Sequence, residues 1–149
     1  MKAFQDYYPD KLAHCYGCDR MNEHGYQIKT FWDGQESVTR FMPESFHTAI
    51  SGFVYGGLLA SLIDCHGTGT GAAALYRAAA RNMDTLPAIR CVTASIQVNY
   101  LKPTPIGHLL EIRGCVREIK VRKVIIDSSV CVDGEVTARG EVIAIQIPE

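Results

Sequence analysis

The 149-residue chain has no surplus of charge of either sign, only 6 prolines and no long apolar run. Fifteen Lys and Arg oppose 16 Asp and Glu, for a formal net charge of −1, so the chain as a whole does not attract nucleic acid or anionic lipid. Charged residues interrupt every apolar run before the ~20 residues that a membrane helix needs, and residues 1–25 lack the apolar core of a signal peptide. We therefore expect a cytoplasmic protein with neither a nucleic-acid nor a membrane partner.

The composition is that of one globular domain, with 47% hydrophobic and 21% charged residues. No linker or internal repeat interrupts the chain, so we expect a single domain over residues 26–149, with the polar and aromatic segment 1–25 packed on it. Four of the six cysteines lie within apolar patterns, where a reduced cysteine behaves as a small hydrophobe. We expect all six to be free thiols: Cys15, Cys18, Cys65, Cys91, Cys115 and Cys131.

The first half of the chain predicts a hairpin followed by one long helix. Residues 26–32 and 37–42 alternate between apolar and polar, and the Asp33-Gly34 pair between them is typical of a tight turn. Residues 54–80 are rich in Ala, Leu and Gly and contain no Pro, which predicts a mostly buried helix. Three central glycines each cost ~1 kcal/mol relative to Ala. Either the helix breaks at these glycines or another element packs too closely for a side chain: Gly67, Gly69 and Gly71.

The second half of the chain predicts four antiparallel strands, over residues 92–100, 110–119, 121–132 and 136–144. Asp133-Gly134 is the strongest hairpin signal in the sequence. The connections are short, which favours antiparallel neighbours. We therefore predict an α+β fold in which one long central helix is wrapped by a curled antiparallel β-sheet of about six strands.

This order of elements resembles the hotdog fold, and the entry to the helix makes the resemblance more specific. Residues 47–64 read HTAISGFVYGGLLASLID. They are similar to the signature of phenylacetate-type (PaaI-like) acyl-CoA thioesterases of the 4-hydroxybenzoyl-CoA thioesterase superfamily, H-x4-G-x2-H-G-G with an acidic residue seven positions later. Cys15-Tyr-Gly-Cys18, residues 100–107 and Val121-Arg122-Lys123 extend the similarity over nearly the whole chain. In one departure, Tyr55 stands where the family has His.

The resemblance implies hydrolysis of an acyl-CoA thioester, with coenzyme A as part of the substrate and no other cofactor. Gly56-Gly57 begins the predicted helix, where backbone N–H groups lack internal partners and favour negative charge. By resemblance, the N–H group of Gly57 stabilises the oxyanion, and Asp64 acts as general base or nucleophile. The structural alternatives are that the glycine pair only turns the chain and that the aspartate is held in a structural hydrogen bond.

The spacing of Gly57 and Asp64 adds a geometric constraint. Seven residues of ideal helix turn through about 700° and rise ~10.5 Å, so both residues share a face but cannot contact the same carbonyl group. Two helices side by side could bring Gly57 of one subunit to Asp64 of the other. We therefore expect a site shared across a two-fold interface, in a homodimer or a homotetramer built as a dimer of dimers.

Several neighbouring residues are further candidates. Thr68, one turn beyond Asp64, could hydrogen-bond its carboxylate. By resemblance, Thr93 helps to hold the attacking water, although it lies on the polar side of the predicted strand pattern and β-propensity alone would explain it. His47 either lines the site or fixes its loop. Gly56 and Tyr55 would contact the substrate.

Basic residues could meet the phosphates of coenzyme A through charge-assisted hydrogen bonds. Arg122 and Lys123 are the first candidates, with Arg90 and Lys102 in reserve; solvated surface charges are the alternative for each.

Two other residue groups are expected to be structural. His66 lies about 200° around the helix from Asp64 and Cys65 lies on another face, so both are expected to pack in the core or in an interface. Cys15 and Cys18, with His14 and His24, resemble half of a zinc site, but a full site needs four ligands and no second C-x2-C pair follows. We expect no metal.

Two other functions remain open at this stage. Hydroxyacyl-thioester dehydratases share the fold but pair a catalytic His with an acidic residue, and Tyr55-Gly56-Gly57 presents no such His. A non-catalytic acyl-CoA-binding protein of the same fold is the stronger alternative, because the family's His is absent.

Overall fold

The computed structural model describes residues 1–148 and contains one long helix against one six-stranded sheet. Two short 3-10 turns, Phe4–Tyr7 and Asp10–Leu12, precede the sheet. The remaining elements, in chain order, are β1 (Thr30–Asp33), β2 (Glu36–Phe41), α1 (Gly56–Ala78), β3 (Cys91–Tyr100), β4 (Leu110–Lys120), β5 (Lys123–Val132) and β6 (Glu135–Gln146). The predicted α+β hotdog architecture is confirmed.

All neighbouring strands are antiparallel, in the order β1-β2-β4-β5-β6-β3. The sheet therefore has two edges, β1 and β3, and within residues 1–148 β3 pairs only with β6. No helix in residues 1–148 combines the length and apolarity needed to cross a membrane. The division into residues 1–25 and 26–149 stays a prediction, although Phe4, Tyr8 and Ala13 of the first segment are buried.

Close packing explains the glycines of α1, and the helix does not break at them. A Cβ atom on Gly67 would lie 2.6 Å from the side chain of Val142, and one on Gly71 would lie 2.9 Å from Cβ of Ala144. Since real Cβ contacts this short do not occur, β6 can approach the helix only because these positions carry no side chain. The backbone of the helix contacts β6 directly here, and the helix therefore packs closely against the concave face of the sheet.

The turns between strands lie close to where the sequence predicts them, with two differences. The first strand begins at Thr30 and not at residue 26, and Asp33 pairs with Glu36, so the first hairpin turns at Gly34 and Gln35 instead of at Asp33-Gly34. Asp133 and Gly134 join β5 to β6 with φ angles of +50° and +80°, as a two-residue hairpin turn requires. The boundary predicted at Val121 is wrong by two residues. Val121 has a φ of +57° and forms the β4–β5 turn with Arg122, so β5 begins at Lys123. A β-branched residue would normally extend a strand, but the tight turn takes precedence here.

A buried polar network connects α1 to the β1–β2 hairpin. His66 is fully buried, as expected for a core residue, and its ring nitrogens lie 3.0 Å from Oγ of Ser37 and 2.9 Å from Oγ1 of Thr39. Thr70 donates to Oγ of Ser37 at 2.7 Å, which extends the network by one helical turn. Burial lowers the pKa of His66 from 6.5 to about 3, so the ring is neutral at physiological pH.

This neutral histidine predicts a loss of stability in acid. Between pH 6.5 and pH 3 the unfolded chain binds a proton at His66 that the folded chain does not, so stability falls as the pH falls. From pH 7.5 to pH 5 the wild-type chain should lose about 2 kcal/mol of unfolding free energy more than His66→Gln does. Urea unfolding at the two pH values measures the difference. The exposed His24→Gln variant should behave like wild type, and an equal pH dependence in His66→Gln would contradict the prediction.

Candidate active site

Asp64 and Thr93 are brought together where α1 crosses the edge strand. Asp64 is half-buried on the helix, and the hydroxyl group of Thr93 on β3 donates a hydrogen bond to its Oδ1. No ion pair within residues 1–148 includes Asp64. The carboxylate is thus held by one hydroxyl donor and is not neutralised by a cation of its own chain.

A bulge in β3 gives Thr93 this position, which the strand pattern did not predict. Thr93 pairs with Ala144 and Ser95 pairs with Ile143, so Ala94 is an extra residue opposite β6. The extra residue shifts the alternation, and Thr93 therefore faces the helix together with Ile96 instead of pointing to the polar side. The prediction that Thr93 lies on the polar face of a regular, half-buried strand is wrong for this reason.

The glycine pair begins α1, and two tyrosines flank it. Tyr55 precedes the helix, and its side chain gives no capping hydrogen bond. Its ring lies against Gly57, where a Cβ atom would be 2.5 Å from the ring carbons. On the other side, the hydroxyl group of Tyr100 donates to the carbonyl oxygen of Gly56 at 2.7 Å. Tyr100 was not predicted as a site residue, although it begins the segment 100–107 that resembles the family.

The N-terminus of α1 offers backbone donors. The first N–H groups of a helix have no acceptor within the helix, and within residues 1–148 no hydrogen bond uses those of Gly56 or Gly57. The first turn contains no acidic residue, so nothing in it competes for the partial positive charge. A cavity of about 390 Å³ adjoins this end, bordered by Gly56, Leu59 and Tyr100 among others.

His47 fixes the loop that leads into the helix. Its Nδ1 accepts a hydrogen bond from the backbone N–H of Glu44 at 2.9 Å, and its carbonyl oxygen accepts one from Tyr55 N–H at 2.9 Å. The ring also packs edge-on against the rings of Tyr26 and Phe46. These contacts support the loop-fixing alternative for His47.

Thr68 does not contact the Asp64 carboxylate within this chain. Its hydroxyl group lies 3.4 Å from the carbonyl oxygens of Asp64 and of Cys65, the bonding typical of a threonine inside a helix. The expected hydrogen bond to the carboxylate is therefore absent, because the backbone acceptors one turn back are nearer. Thr68 is also buried.

The four basic candidates separate by their surroundings. Arg90 is mostly buried and lies 3.3 Å from the Asp19 carboxylate, so it is not available at the surface. Lys102 is paired with Glu135. Arg122 and Lys123 form no ion pair within residues 1–148.

The register of the sheet relates Arg122 and Lys123 to the site. Lys123 pairs with Ile145 of β6, which in turn pairs with Val92 of β3. Two strand spacings of about 4.8 Å thus separate Lys123 from Val92, the residue next to Thr93. The basic pair lies at the same end of the sheet as Thr93.

The edge strand β3 is unusually exposed. Eight of its ten residues are exposed, including the apolar side chains of Val92, Ile96 and Tyr100. An edge strand with unpaired backbone groups and exposed apolar side chains is suited to pairing with another strand. The Asp64–Thr93 contact joins this edge strand to α1.

Comparisons with known proteins agree with the architecture. The family model described as Thioesterase superfamily matches residues 51–145. The crystal structure of a thioesterase superfamily protein from Shewanella loihica is 42% identical to this chain, with a TM-score of 0.69, over 86% of this chain and 97% of that one. No curated protein matches the chain.

More distant structures share the fold. A thioesterase from Haemophilus influenzae is 13% identical, with a TM-score of 0.66, over 82% of this chain and 79% of that one. A phenylacetic acid degradation-related protein from Ralstonia eutropha is 15% identical, with a TM-score of 0.62, over 80% and 85%. At these identities the likeness concerns the fold alone. Since the family model covers most of the chain and includes both Gly57 and Asp64, the chain belongs to the thioesterase superfamily.

Proposed function

We propose that this chain is an acyl-CoA thioesterase of the PaaI-like type that hydrolyses an acyl thioester to a carboxylic acid and free coenzyme A. The observation that carries the proposal is the half-buried Asp64 carboxylate, held by Thr93 and left without a cation, on the same helix whose glycine end presents unused N–H groups. A half-buried carboxylate with a hydroxyl donor but no counter-charge is costly, which favours a chemical role over a structural one.

In the proposed reaction, the backbone N–H of Gly57 stabilises the oxyanion and the carboxylate of Asp64 activates water. The thioester carbonyl oxygen accepts a hydrogen bond from Gly57 N–H, which stabilises the negative charge that develops there. Asp64 takes a proton from a water molecule as that water attacks the carbonyl carbon. The tetrahedral intermediate then breaks its C–S bond, and the proton goes from Asp64 to the departing thiolate. Direct attack by the carboxylate is the other route that the resemblance leaves open.

A second copy of the chain completes the proposed site. Gly57 and Asp64 are about 10.5 Å apart along one helix, too far to act on one carbonyl group. The exposed apolar edge of β3 supports a two-fold contact close to Asp64, where the Gly57 end of the partner's helix could approach. We propose a homodimer as the active unit, with a dimer of dimers as its larger form.

The remaining assignments follow the surroundings of the site. Arg122 and Lys123 are proposed to contact coenzyme A phosphates, because neither forms an ion pair within residues 1–148 and both lie at the Thr93 end of the sheet. Tyr55 and Gly56 are proposed to border the acyl group. All six cysteines are unpaired, which supports a reducing compartment such as the cytoplasm.

Non-catalytic acyl-CoA binding is the second candidate function, and one observation favours it. The Tyr55 ring lies against Gly57, on the backbone that would have to receive the thioester carbonyl. A ring that stayed there would allow binding of coenzyme A without turnover.

Replacement of Asp64 by Asn should abolish most of the activity. Asn has the same shape and can still accept the Thr93 hydrogen bond, but it cannot take a proton from water. We expect thiol release from a panel of short, medium, long and aromatic acyl-CoAs to fall at least ~100-fold, a loss of ~2.7 kcal/mol of transition-state stabilisation.

The control for this experiment is the same substitution at a distant aspartate, and a pair of Thr93 variants tests the hydrogen bond to Asp64. Asp84→Asn, in an exposed loop, should keep wild-type activity. Thr93→Ser keeps the hydroxyl donor and should be more active than Thr93→Val. Full activity in Asp64→Asn would show that the proposed base is wrong. If acyl-CoA binds but neither chain releases thiol, non-catalytic binding replaces hydrolysis as the function.

Gly57→Pro tests the backbone donor. Proline removes the N–H group but is tolerated in the first turn of a helix. Gly57→Ala keeps the N–H group, and both variants require the same displacement of the exposed Tyr55 ring. We expect kcat to fall ~100-fold or more in Gly57→Pro and much less in Gly57→Ala. Equal losses in the two variants would mean that the side-chain volume, and not the donor, matters.

Mixing two inactive variants tests the shared site. When Gly57→Pro and Asp64→Asn chains are unfolded together and refolded, half of the dimers formed at random are mixed, and each mixed dimer has one intact site. The mixture should therefore regain about a quarter of wild-type activity. Separate refolding of each variant is the control. No recovery, with mixed dimers demonstrated by native mass spectrometry, would place both residues of each site on one chain.

A further inference from the structure

Three cysteine sulfur atoms converge where the N-terminal segment crosses α1. Cys15 and Cys18 come from the turn after the second 3-10 element, and Cys65 comes from the helix, directly after Asp64. All three Sγ atoms lie within 4.8 Å of one another, and those of Cys15 and Cys65 are 3.9 Å apart. The sequence alone offered only the C-x2-C pair, because a distance of 50 residues along the chain hides the third sulfur.

The separations fit a tetrahedral metal ion. Zinc binds thiolate sulfur at about 2.3 Å, which places two sulfur ligands of a tetrahedron about 3.8 Å apart. The Cys15–Cys65 distance is close to this value, and the spacing of Cys15 and Cys18 is one that zinc-binding turns use. Cys18 and Cys65 are buried, whereas Cys15 is partly accessible, so the fourth position lies on the Cys15 side.

The turn is shaped around these sulfur atoms. The backbone N–H of Gly17 donates to Sγ of Cys15 at 3.4 Å, a contact that stabilises a thiolate. A Cβ atom on residue 17 would lie 2.3 Å from Sγ of Cys65, so only glycine allows the turn to close on the helix.

The ion pair between Asp19 and Arg90 holds the turn that carries Cys15 and Cys18. Asp19 is fully buried, and its Oδ2 accepts the backbone N–H of Cys15 at 2.8 Å. The same oxygen lies 3.3 Å from the guanidinium group of Arg90. The other carboxylate oxygen, Oδ1, lies 3.3 Å from Sγ of Cys18 and accepts the thiol hydrogen that zinc binding would remove. These contacts match the outer-shell support that metal ligands need.

The alternative is that the three thiols only fill space. Cys91 illustrates that case, since its sulfur is buried against the helix near Gly71 and belongs to no sulfur cluster. Apolar packing does not require three sulfur atoms to meet, nor an N–H group aimed at one of them. The arrangement of Cys15, Cys18 and Cys65 is better explained by a ligand that they share.

We propose that Cys15, Cys18 and Cys65 bind one zinc ion, with a water molecule in the fourth position. Binding deprotonates whichever of the three thiols are still protonated and releases those protons to the solvent, without any change of oxidation state. The ion fastens the N-terminal segment to α1 beside Asp64. This site is independent of the proposed hydrolysis, because none of its ligands takes part in that reaction.

Metal content is the direct test. The full chain, without a histidine tag, is stripped with a chelator under reducing conditions, given excess zinc, desalted and analysed by elemental mass spectrometry. We expect one zinc ion per chain in the wild type and in Cys115→Ser and Cys91→Ser, but nearly none in Cys15→Ser, Cys18→Ser or Cys65→Ser. The zinc-loaded wild type should also melt at a higher temperature than the stripped protein.

Cobalt substitution keeps the test valid if a serine variant folds poorly. Co²⁺ bound to the wild-type chain should show sulfur-to-cobalt charge-transfer absorption of the strength that three thiolates give, and zinc should abolish it. A wild-type chain that retains no zinc after desalting would overturn the proposal. So would full zinc retention in Cys65→Ser, or cobalt spectra without thiolate bands.

Discussion

The close approach of α1 to β6 is the constraint on which the rest of the structure depends. Gly67 and Gly71 give up side chains so that Val142 and Ala144 can touch the helix backbone. The conformational cost of glycine in a helix, about 1 kcal/mol at each site, is offset by this burial. Because the helix is seated at that depth, Asp64 comes within reach of Thr93, and His66 reaches the hairpin at Ser37.

The same seating has a consequence at the other end of the helix. The glycine row holds the middle of α1 against the sheet, while the first turn projects toward the loop of residues 46–55 and the end of β3 at Tyr100. Two chemically useful groups, the donors at Gly57 and the carboxylate at Asp64, are thereby fixed on one rigid rod. Rigidity keeps each group in place but also keeps them two turns apart. A second copy of the helix, running in the opposite direction, is the simplest arrangement that brings Gly57 of one chain to Asp64 of the other.

The sequence was sufficient for the architecture because the architecture is local in origin. Periodicity predicted α1 and all six strands, although β1 begins four residues later than predicted, and Asp133-Gly134 marked its hairpin by its turn-forming residues. The pattern failed where a long-range contact decides the outcome. The bulge at Ala94 turns Thr93 toward the helix, and Thr68 bonds to the backbone instead of the carboxylate. The meeting of Cys65 with the C-x2-C turn depends on tertiary packing as well, and no spacing rule connects residues 50 positions apart.

The distribution of charge along α1 bears on what the helix is for. Its 23 residues carry two charged side chains, Asp64 and Arg77. Arg77 lies at the exposed C-terminal end, where the helix dipole favours a cation, and its guanidinium group stacks 3.7 Å over the Trp32 ring. Its position is therefore explained by stability.

No comparable explanation exists for Asp64. It lies in mid-helix, half-buried, between the buried Ile63 and Cys65, with one hydroxyl donor and no cation within residues 1–148. An amide would accept the same hydrogen bond at a lower desolvation cost. The fold tolerates a carboxylate at this position and gains no stability from it that another residue could not supply. The charge of Asp64 would be explained by an interaction with the N-terminus of a neighbouring helix, or by transfer of a proton from water to the thiolate.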